Sequence, residues 1–350
     1  MTLATKLLDW YDKNGRDLPW RKDKDAYKIW VSEIMLQQTR VEAVKDYYSR
    51  WLDRFPTLAA LAQASEQEVL NYWQGLGYYS RARNLLAGVR EVCSEYGGKV
   101  PDNPATIRRL PGVGEYTAGA IASIAYNQVA PAIDGNVLRI FSRLFCLDGD
   151  ITKSATKREI DRLIRQNISD QYPGDFNQAL MDLGAMICIP RRPRCQLCPL
   201  INLCEAYARE VQDMLPVRAP KKAPQLVVLA AGVMLRNGKY LVQQRPETGL
   251  LAGMWEFPTI EVIEGDVAAE RLKAAFWNEL RQSVSIKEEI FHCHHTFSHR
   301  KWDISFYQCE WLAGDALKDK ACWLSSSELR SVPWAGPNHK VALWLEQKAM

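Results

Sequence analysis

Four cysteines lie close together in the chain with the spacing C-x6-C-x2-C-x5-C: Cys188, Cys195, Cys198 and Cys204. Thiolate quartets at such short spacing bind zinc or an iron–sulfur cluster. Structural zinc sites usually have two separate Cys-x-x-Cys pairs, and this segment has one. The spacing therefore favours a [4Fe–4S] cluster, and four unrelated cysteines are the alternative.

A glycine-containing hairpin is a second candidate site. The segment Leu110–Gly114 reads Leu-Pro-Gly-Val-Gly and lies between two predicted helices. The backbone N–H groups of such a hairpin, with the N-terminus of the next helix, form an anion site that fits a DNA phosphate. The motif therefore predicts a helix-hairpin-helix DNA contact at Gly112 and Gly114.

Two carboxylates lie in settings that suit catalysis. Asp134 precedes a predicted amphipathic helix. It is either a turn or N-cap residue, or a carboxylate that the helix dipole keeps ionised and able to face a developing cation. Glu33 lies in a helical segment with few other charges. A surface glutamate is the alternative there, but apolar neighbours indicate partial burial, which raises a carboxyl pKa toward general-acid use.

The elements that must position these residues fall into two groups. Residues 1–214 have a helical pattern nearly throughout, and residues 215–225 form a proline-rich, basic linker. In residues 226–350, two β-rich runs flank Asn237-Gly238, which predicts a hairpin. Residues 269–281 are predicted to form a helix and residues 304–309 a strand. We therefore expect an all-α domain followed by an α+β domain.

The composition agrees with two globular domains. The chain has 350 residues, of which 47% are apolar and 25% charged, so a disordered protein, a collagen and a small disulfide scaffold are excluded. The net charge of +4 neither requires nor excludes nucleic acid. Early charges interrupt any signal-peptide core, and the longest apolar run is too short to cross a membrane.

The motifs, in their order and separations, resemble those of MutY-type adenine DNA glycosylases. That family belongs to the helix-hairpin-helix, iron–sulfur superfamily related to endonuclease III. The resemblance covers nearly the whole chain and rests on Leu18–Arg21, Ser32–Thr39, Gly75–Tyr79, Leu110–Ile121, Asp134–Val137 and the cysteine quartet. It implies a helix-hairpin-helix glycosylase domain with a [4Fe–4S] cluster loop. The implied activity is base-excision removal of adenine mispaired with 8-oxoguanine or guanine, which prevents G:C to T:A mutations.

The resemblance also implies roles for individual residues. Glu33 would protonate the departing adenine at N7, Asp134 would stabilise the oxocarbenium-like sugar, and Tyr116 and Asn136 would line the same site. The adenine-pocket positions are Arg16, Leu18, Trp20, Arg21 and Gln178. A flipped base leaves a gap in the stack, and the family positions that fill it are Gln38 and Tyr78.

Tyr116 separates two neighbouring chemistries. Superfamily members that also cut the strand have a lysine two residues after the second hairpin glycine, where this chain has Tyr116. No amine is offered there for a Schiff base. The resemblance is therefore to a monofunctional enzyme with water as the final nucleophile.

The C-terminal part resembles the Nudix (MutT-like) fold over Leu241–Arg245 and Gly249–Pro258. The glutamate cluster that binds Mg²⁺ in Nudix hydrolases is missing, so we expect a recognition domain without pyrophosphatase activity. Its loop matches the family's 8-oxoguanine-reading loop at Phe297, Ser298 and His299. A metal site is the alternative for the nearby histidines, but no neighbouring Cys or Asp pattern completes a tetrahedron.

Three other functions agree less well with the sequence. An endonuclease III-like glycosylase and lyase acting on oxidised pyrimidines is disfavoured by Tyr116 and by the C-terminal domain. A Nudix hydrolase lacks its metal box, and a noncatalytic iron–sulfur DNA-binding protein would not need both Glu33 and Asp134. We expect a monomer that binds double-stranded DNA containing an adenine mispair. We also expect no membrane association and a cytoplasmic, nucleoid-associated location in a bacterium.

Overall fold

A computed structural model describes residues 1–220, 223–297, 299–314, 316–317 and 320–349. The chain forms two compact units. The first contains Met1–Tyr72 and Ser80–Pro220. The second contains Trp73–Tyr79 and the described residues after Pro220. No helix among the described residues is long and apolar enough to cross a membrane.

The chain up to Pro220 is helical, as the sequence predicts. Its helices are α1 (Leu3–Asn14), α2 (Ala26–Leu36), α3 (Val41–Arg54), α4 (Leu58–Gln63), α5 (Glu66–Trp73), α6 (Ser80–Glu95), α7 (Pro104–Ile107), α8 (Glu115–Tyr126), α9 (Gly135–Leu144), α10 (Ser154–Asn167), α11 (Pro173–Met186) and α12 (Glu205–Ala208). The cysteine segment carries short 3-10 turns at Cys195–Leu197 and Ile201–Leu203.

Helix α2 is buried on nearly every side. The Asp25 side chain caps its N-terminus by accepting a hydrogen bond of 2.9 Å from the N–H of Lys28. Every residue from Ile29 to Met35 is buried. A helix that is apolar all round belongs in a core rather than on a surface. Glu33, the charged residue of this buried stretch, is therefore taken out of water.

A close approach brings the segment before α9 against helix α8. A Cβ added at Gly119 would lie 1.9 Å from the carbonyl oxygen of Pro131, so glycine is required there. Asn177, buried on α11, holds the same segment. Its Oδ1 accepts from the N–H of Ala132 at 3.1 Å, and its Nδ2 donates to the carbonyl of Ala130 at 2.8 Å. These contacts fix the position of the segment that leads to Asp134, the residue directly before α9.

Helices α1, α9, α10 and α11 enclose a hydrophobic core of the helical unit. Its buried residues include Leu7, Phe141, Ile164 and Phe176. Three of the four clustered cysteines pack against this core at its edge: Cys188, Cys198 and Cys204. The cysteine segment is therefore an ordered part of the helical unit.

The second unit is built on a mixed sheet. Its strands are β1 (Gln225–Arg236), β2 (Lys239–Gln244), β3 (Trp255–Glu256), β4 (Thr259–Glu261), β5 (Gln282–Thr296), β6 (Arg300–Gly314) and β7 (Ala321–Ser325). The order is β3-β2-β1-β6-β5, with β4 on β1 and β7 on β2. β1 and β6 are parallel, and the other pairs are antiparallel.

Helices contribute to both cores of the second unit. Helix α13 (Ala268–Leu280) supplies Leu272 and Phe276 to one core. Helix α14 (Pro337–Ala349) packs into another, in which the ring centroids of Phe257 and Trp334 lie 5.1 Å apart. The structure is thus an α+β unit, as expected.

The predicted hairpin and helix of this unit are confirmed. Arg236 pairs with Lys239 across the Asn237-Gly238 turn, and α13 corresponds to the helix expected over residues 269–281. The strand expected over residues 304–309 is the middle of the longer β6. Strand β5 and helix α14 were not anticipated. The first strand begins at Gln225, inside the predicted linker.

Candidate active site and nucleic-acid interface

Glu33 is a buried acid on α2, with 5% of its surface exposed. Burial raises the pKa of its carboxyl to about 7, and the negative charge of Asp134 acts in the same direction. The Tyr116 hydroxyl opposes the rise by donating a hydrogen bond of 2.5 Å to Glu33 Oε2. A carboxyl group with a pKa near neutrality can hold a proton and release it at physiological pH. Glu33 therefore has the properties of a general acid.

Asp134 is the N-cap of α9. Its Oδ1 accepts the N–H of Val137 at 2.8 Å, and its Oδ2 accepts Nδ2 of Asn136 at 2.7 Å. Burial raises the pKa of the Asp134 carboxyl, and these two hydrogen bonds oppose the rise. The sequence left open whether Asp134 is an N-cap or a carboxylate that faces a developing cation. The structure shows that one side chain can do both. A carboxylate held at a helix N-terminus can face a developing positive charge.

Arg139 connects Asn136 to the cysteine segment. Its guanidinium donates to Asn136 Oδ1 at 2.9 Å and to the carbonyl of Cys188 at 2.8 Å. Asn136 is the residue that donates to Asp134. A continuous path of hydrogen bonds therefore runs from the Asp134 carboxylate to the backbone of the first clustered cysteine.

A small cavity lies beside Glu33. Its volume is about 50 Å³, enough for a few water molecules. All five residues that sequence analysis assigned to the adenine pocket line it together with Glu33: Arg16, Leu18, Trp20, Arg21 and Gln178. A purine base would need these walls to move before it could enter.

Asp182 on α11 holds two of these walls in place. Its carboxylate is fully buried and accepts hydrogen bonds from Arg16 and Arg21 at 2.7–2.9 Å. Burial opposes ionisation of Asp182, but the two arginines outweigh it and lower the pKa of the carboxyl. The sequence analysis missed this residue. A single carboxylate within the apolar stretch 179–184 was the available signal.

The predicted hairpin lies between α7 and α8. Gly112 has a left-handed backbone, φ +72°, and a Cβ there would lie 2.6 Å from Asn84 on α6. Gly114 is the N-cap of α8, and the space beside its Cα is open. The first N–H groups of any helix lack partners within that helix, so this end of α8 can bind an anion.

An open groove of about 540 Å³ borders Tyr116 and Asp134. Besides Asp134, its walls carry four basic residues and two acidic ones: Arg108, Lys157, Arg158, Arg165, Glu115 and Asp161. Tyr116 lines this groove and donates a hydrogen bond to Glu33, which lines the small cavity. The excess of positive charge in the groove suits a phosphate backbone.

Among the four clustered cysteines, all of which the structure describes, no three sulfur atoms all lie within 4.8 Å of one another. In a tetrahedral zinc site with Zn–S bonds of about 2.3 Å, the sulfurs lie about 3.8 Å apart. The guanidinium of Arg143, which is buried, donates to Cys188 Sγ at 3.3 Å, as suits an anionic sulfur. These residues fit a multi-iron cluster better than a single zinc ion.

Gln38 and Tyr78, the two residues predicted to fill the gap left by a flipped base, both have left-handed backbones. Gln38 follows α2 with φ +58° and is exposed. Arg81 fixes this turn by donating to the carbonyls of Ile34, Met35 and Gln37. Tyr78 has φ +47°, is 43% exposed and belongs to the segment grouped with the second unit.

Two protein families match the chain. Residues 31–166 match the HhH-GPD superfamily of base excision DNA repair proteins, and residues 230–343 match the NUDIX domain. An adenine DNA glycosylase of Rattus norvegicus is 39% identical over 93% of this chain and 74% of its own length. One of Buchnera aphidicola subsp. Schizaphis graminum is 34% identical over 84% of this chain and 83% of its own.

The chain belongs to the adenine DNA glycosylase family. Part of the chain is also similar to a solved structure, a thermostable thymine-DNA glycosylase. That likeness has a TM-score of 0.54 at 30% identity, and it covers 59% of this chain and 95% of that one. Members of one fold thus act on different bases, and the pocket rather than the fold must choose the base.

The described residues contain no group of three carboxylates close enough to share a metal ion. Glu256, a glutamate of the NUDIX-matching segment, is buried and paired with Arg245.

The predicted recognition loop joins β5 to β6. The Phe297 ring packs on His295 and Trp302, with ring centroids 4.5 Å and 4.8 Å apart. His299 is exposed. Ser298, the third predicted residue, lies outside the described residues. Phe297 therefore packs against side chains of β5 and β6, and the exposed His299 side chain is accessible to a ligand.

Replacing Asp182 with Asn tests the framework of the cavity. We expect Asp182→Asn to destabilise the protein by about 3–5 kcal/mol, because two partly buried guanidinium groups lose their counter-charge. The pKa of Asp182 is lowered in the folded state, so its contribution is present above the unfolded value of 3.8 and is lost as the pH falls below it.

Thermal and urea unfolding at several pH values measure this difference. The control is Glu159→Gln, which removes an exposed partner of Arg162 and should change little. Equal stability of Asp182→Asn and the wild type at neutral pH would contradict the assigned role.

Proposed function

We propose that this chain is a base-excision enzyme that hydrolyses the N-glycosidic bond of adenine in duplex DNA. The adenine is mispaired with 8-oxoguanine or guanine, and its removal prevents G:C to T:A mutations. Family membership supports the choice of adenine. The observation that supports this chemistry is the buried Glu33, whose carboxyl has a pKa of about 7. Glu33 accepts a hydrogen bond from Tyr116, and the negative charge of Asp134 contributes to raising its pKa.

Protonation of the base is the first step. Adenine is a poor leaving group as an anion and a better one when a ring nitrogen carries a proton. Glu33 lines the cavity together with the adenine-pocket residues and gives its proton to the base, at N7 by the family resemblance. General acid catalysis of this kind contributes about 10²–10⁴-fold in rate.

Stabilisation of the sugar is the second step. As the bond to the base breaks, C1′ develops the positive charge of an oxocarbenium ion. Asp134, oriented by Val137 and Asn136, supplies the opposing negative charge. Water then adds to C1′ and releases one proton, which replaces the proton that Glu33 gave to the base, and the products are an abasic site and free adenine.

Strand cleavage is not part of the reaction. A lyase needs an amine that attacks C1′ and forms a Schiff base. Tyr116 occupies the position of that amine, and burial raises its pKa well above 10, so it stays a neutral hydrogen-bond donor. The enzyme is therefore monofunctional.

Four further residues bind and open the duplex. The hairpin at Gly112 and Gly114 holds a backbone phosphate, while Gln38 and Tyr78 fill the gap that the flipped adenine leaves. Unstacking a base costs a few kcal/mol, so a wedge that replaces its stacking contacts lowers the energy of the flipped state.

The four cysteines are assigned to a [4Fe–4S] cluster, with Cys188, Cys195, Cys198 and Cys204 as ligands. When bound, the cluster would tie the segment between α11 and α12 into a rigid loop. Elemental analysis tests this assignment: about four irons and matching sulfide per chain are expected, and a single zinc would contradict it.

The NUDIX domain serves to recognise the base opposite adenine. Ser298 and His299 supply hydrogen bonds to the changed edge of 8-oxoguanine, and Phe297 supports the loop. The enzyme acts as a monomer on nucleoid DNA in the cytoplasm of a bacterium.

Replacing Glu33 with Gln tests the acid step. Glu33→Gln keeps the size and polarity of the side chain but offers no acidic proton, so adenine release should fall at least about a hundredfold while binding of the mispaired duplex persists. Single-turnover release of free adenine and fluorescence anisotropy measure the two properties. The control is Glu42→Gln, on an exposed side chain of α3. Near wild-type release by Glu33→Gln would remove Glu33 from the role of acid.

The pH profile tests the hydrogen bond from Tyr116. Because the acid must be protonated, the rate of adenine release should fall as the pH rises through about 7. The Tyr116 hydroxyl lowers the pKa of Glu33, so Tyr116→Phe should move this fall to higher pH. Tyr126→Phe, whose hydroxyl donates to the carbonyl of Val100, is the control. A fall that stays in place or moves to lower pH would be inconsistent with this coupling.

The loop test compares adenine opposite 8-oxoguanine with adenine opposite guanine. The double variant Ser298→Ala, His299→Ala loses one or two hydrogen bonds, on the order of 1–3 kcal/mol, so discrimination should fall about tenfold to a hundredfold. Both duplexes are measured at one salt concentration, with His339→Ala as the control. Unchanged discrimination would exclude this loop as the reader of the lesion, and an equal fall on both duplexes would indicate a phosphate or folding role.

A further inference from the structure

Three potential metal ligands lie together on the sheet of the second unit. His292 and His294 are two residues apart on β5, so both project from the same face of the strand. Asp303 lies on β6, directly opposite His294 in the strand register. Among the described residues, these form the one group of three His, Cys, Asp or Glu side chains whose donor atoms all lie within 4.8 Å of one another.

The distances within this group are close to those of a metal site. His292 Nε2 lies 2.5 Å and His294 Nδ1 lies 3.2 Å from Asp303 Oδ1. In a tetrahedral zinc site with bonds of about 2.0–2.1 Å, neighbouring donor atoms lie about 3.4 Å apart. Rotations of side chains alone would therefore open the group enough to admit an ion.

The strands hold the ligands while leaving them accessible. Cys293 and His295 alternate with the two ligand histidines and pair with Ile304 and Trp302, both of which are buried. The opposite face of the hairpin is thus fixed in the core. The ligand side chains remain 45%, 55% and 29% exposed for His292, His294 and Asp303. An ion can enter from solvent and keep at least one water ligand.

We propose that His292, His294 and Asp303 bind one zinc ion, with water completing the coordination. Two imidazoles and one carboxylate are donors that zinc accepts, and three protein ligands with an open position are a known zinc arrangement. The sequence pattern suggested a histidine cluster but no completing acid. The acid comes from β6, nine residues beyond His294, and only the strand register brings it to the histidines.

A bound ion would link β5 to β6 near the loop that joins them. Two residue pairs, Thr296–Lys301 and His295–Trp302, separate the His294–Asp303 pair from that loop. The ion would therefore fix the base of the segment that carries Phe297 and His299. The zinc site does not depend on the loop's proposed role, since its ligands and its test are separate.

The test is a zinc titration of the full-length protein. Protein is prepared anaerobically so that the cysteine segment keeps its iron, and zinc is added against a competing chelator in a calorimeter. The wild type should bind one zinc ion. His294→Gln and Asp303→Asn should each weaken binding at least about tenfold, since even losses outside the ligand set cost that much. His339→Gln, which removes a histidine from α14, should bind as the wild type does.

Two results would overturn the proposal. One is a wild type that binds no zinc beyond the amount held by the double variant His292→Gln, His294→Gln. The other is equal zinc affinity in Asp303→Asn and the wild type. Unfolding temperatures measured without zinc serve as the control for folding. They should be the same in the wild type and the variants, because the three substituted side chains are at least partly exposed. Retention of adenine release opposite guanine by every variant separates a failure of the zinc site from a failure of the proposed enzyme function.

Discussion

Burial of the Glu33 carboxyl is the constraint around which the helical unit is arranged. Raising its pKa from 4.5 to about 7 means that ionisation costs about 3 kcal/mol more in the folded protein than in water. The folded state binds a proton that the unfolded state releases, so this site makes the protein less stable as the pH rises from 4.5 toward 7. The surrounding helices must supply the stability that the acid site loses.

The second carboxylate differs from the first because its partners differ. Glu33 accepts one hydrogen bond, from the Tyr116 hydroxyl. Asp134 accepts two at the start of a helix, one from a backbone N–H and one from a side-chain amide. Burial raises the pKa of both carboxyls, and the hydrogen bonds from Val137 and Asn136 act against that rise at Asp134. The close approach at Gly119 and the amide of Asn177 fix the segment that leads to this second acid.

Local motifs could be predicted from the sequence, and long-range partners could not. The hairpin at Gly112 and the cap at Asp134 depend on residues a few positions apart, so their patterns are visible in the chain. Strand β5 was missed because register shifts near residues 283, 286 and 289 interrupt its two-residue alternation. Asp182 was missed because its partners Arg16 and Arg21 are about 160 residues away.

The missed partners share a physical cause. A buried or clustered charge is tolerated only where an opposite charge or a donor reaches it, and the fold rather than the local sequence decides which one does. Asp182 on α11 meets arginines from the segment after α1, and Asp303 on β6 meets histidines on β5. In both places, the sequence shows an ionisable residue within an apolar or alternating stretch but does not show its partner. Such a residue indicates that a partner exists, and only helix packing or strand register identifies that partner.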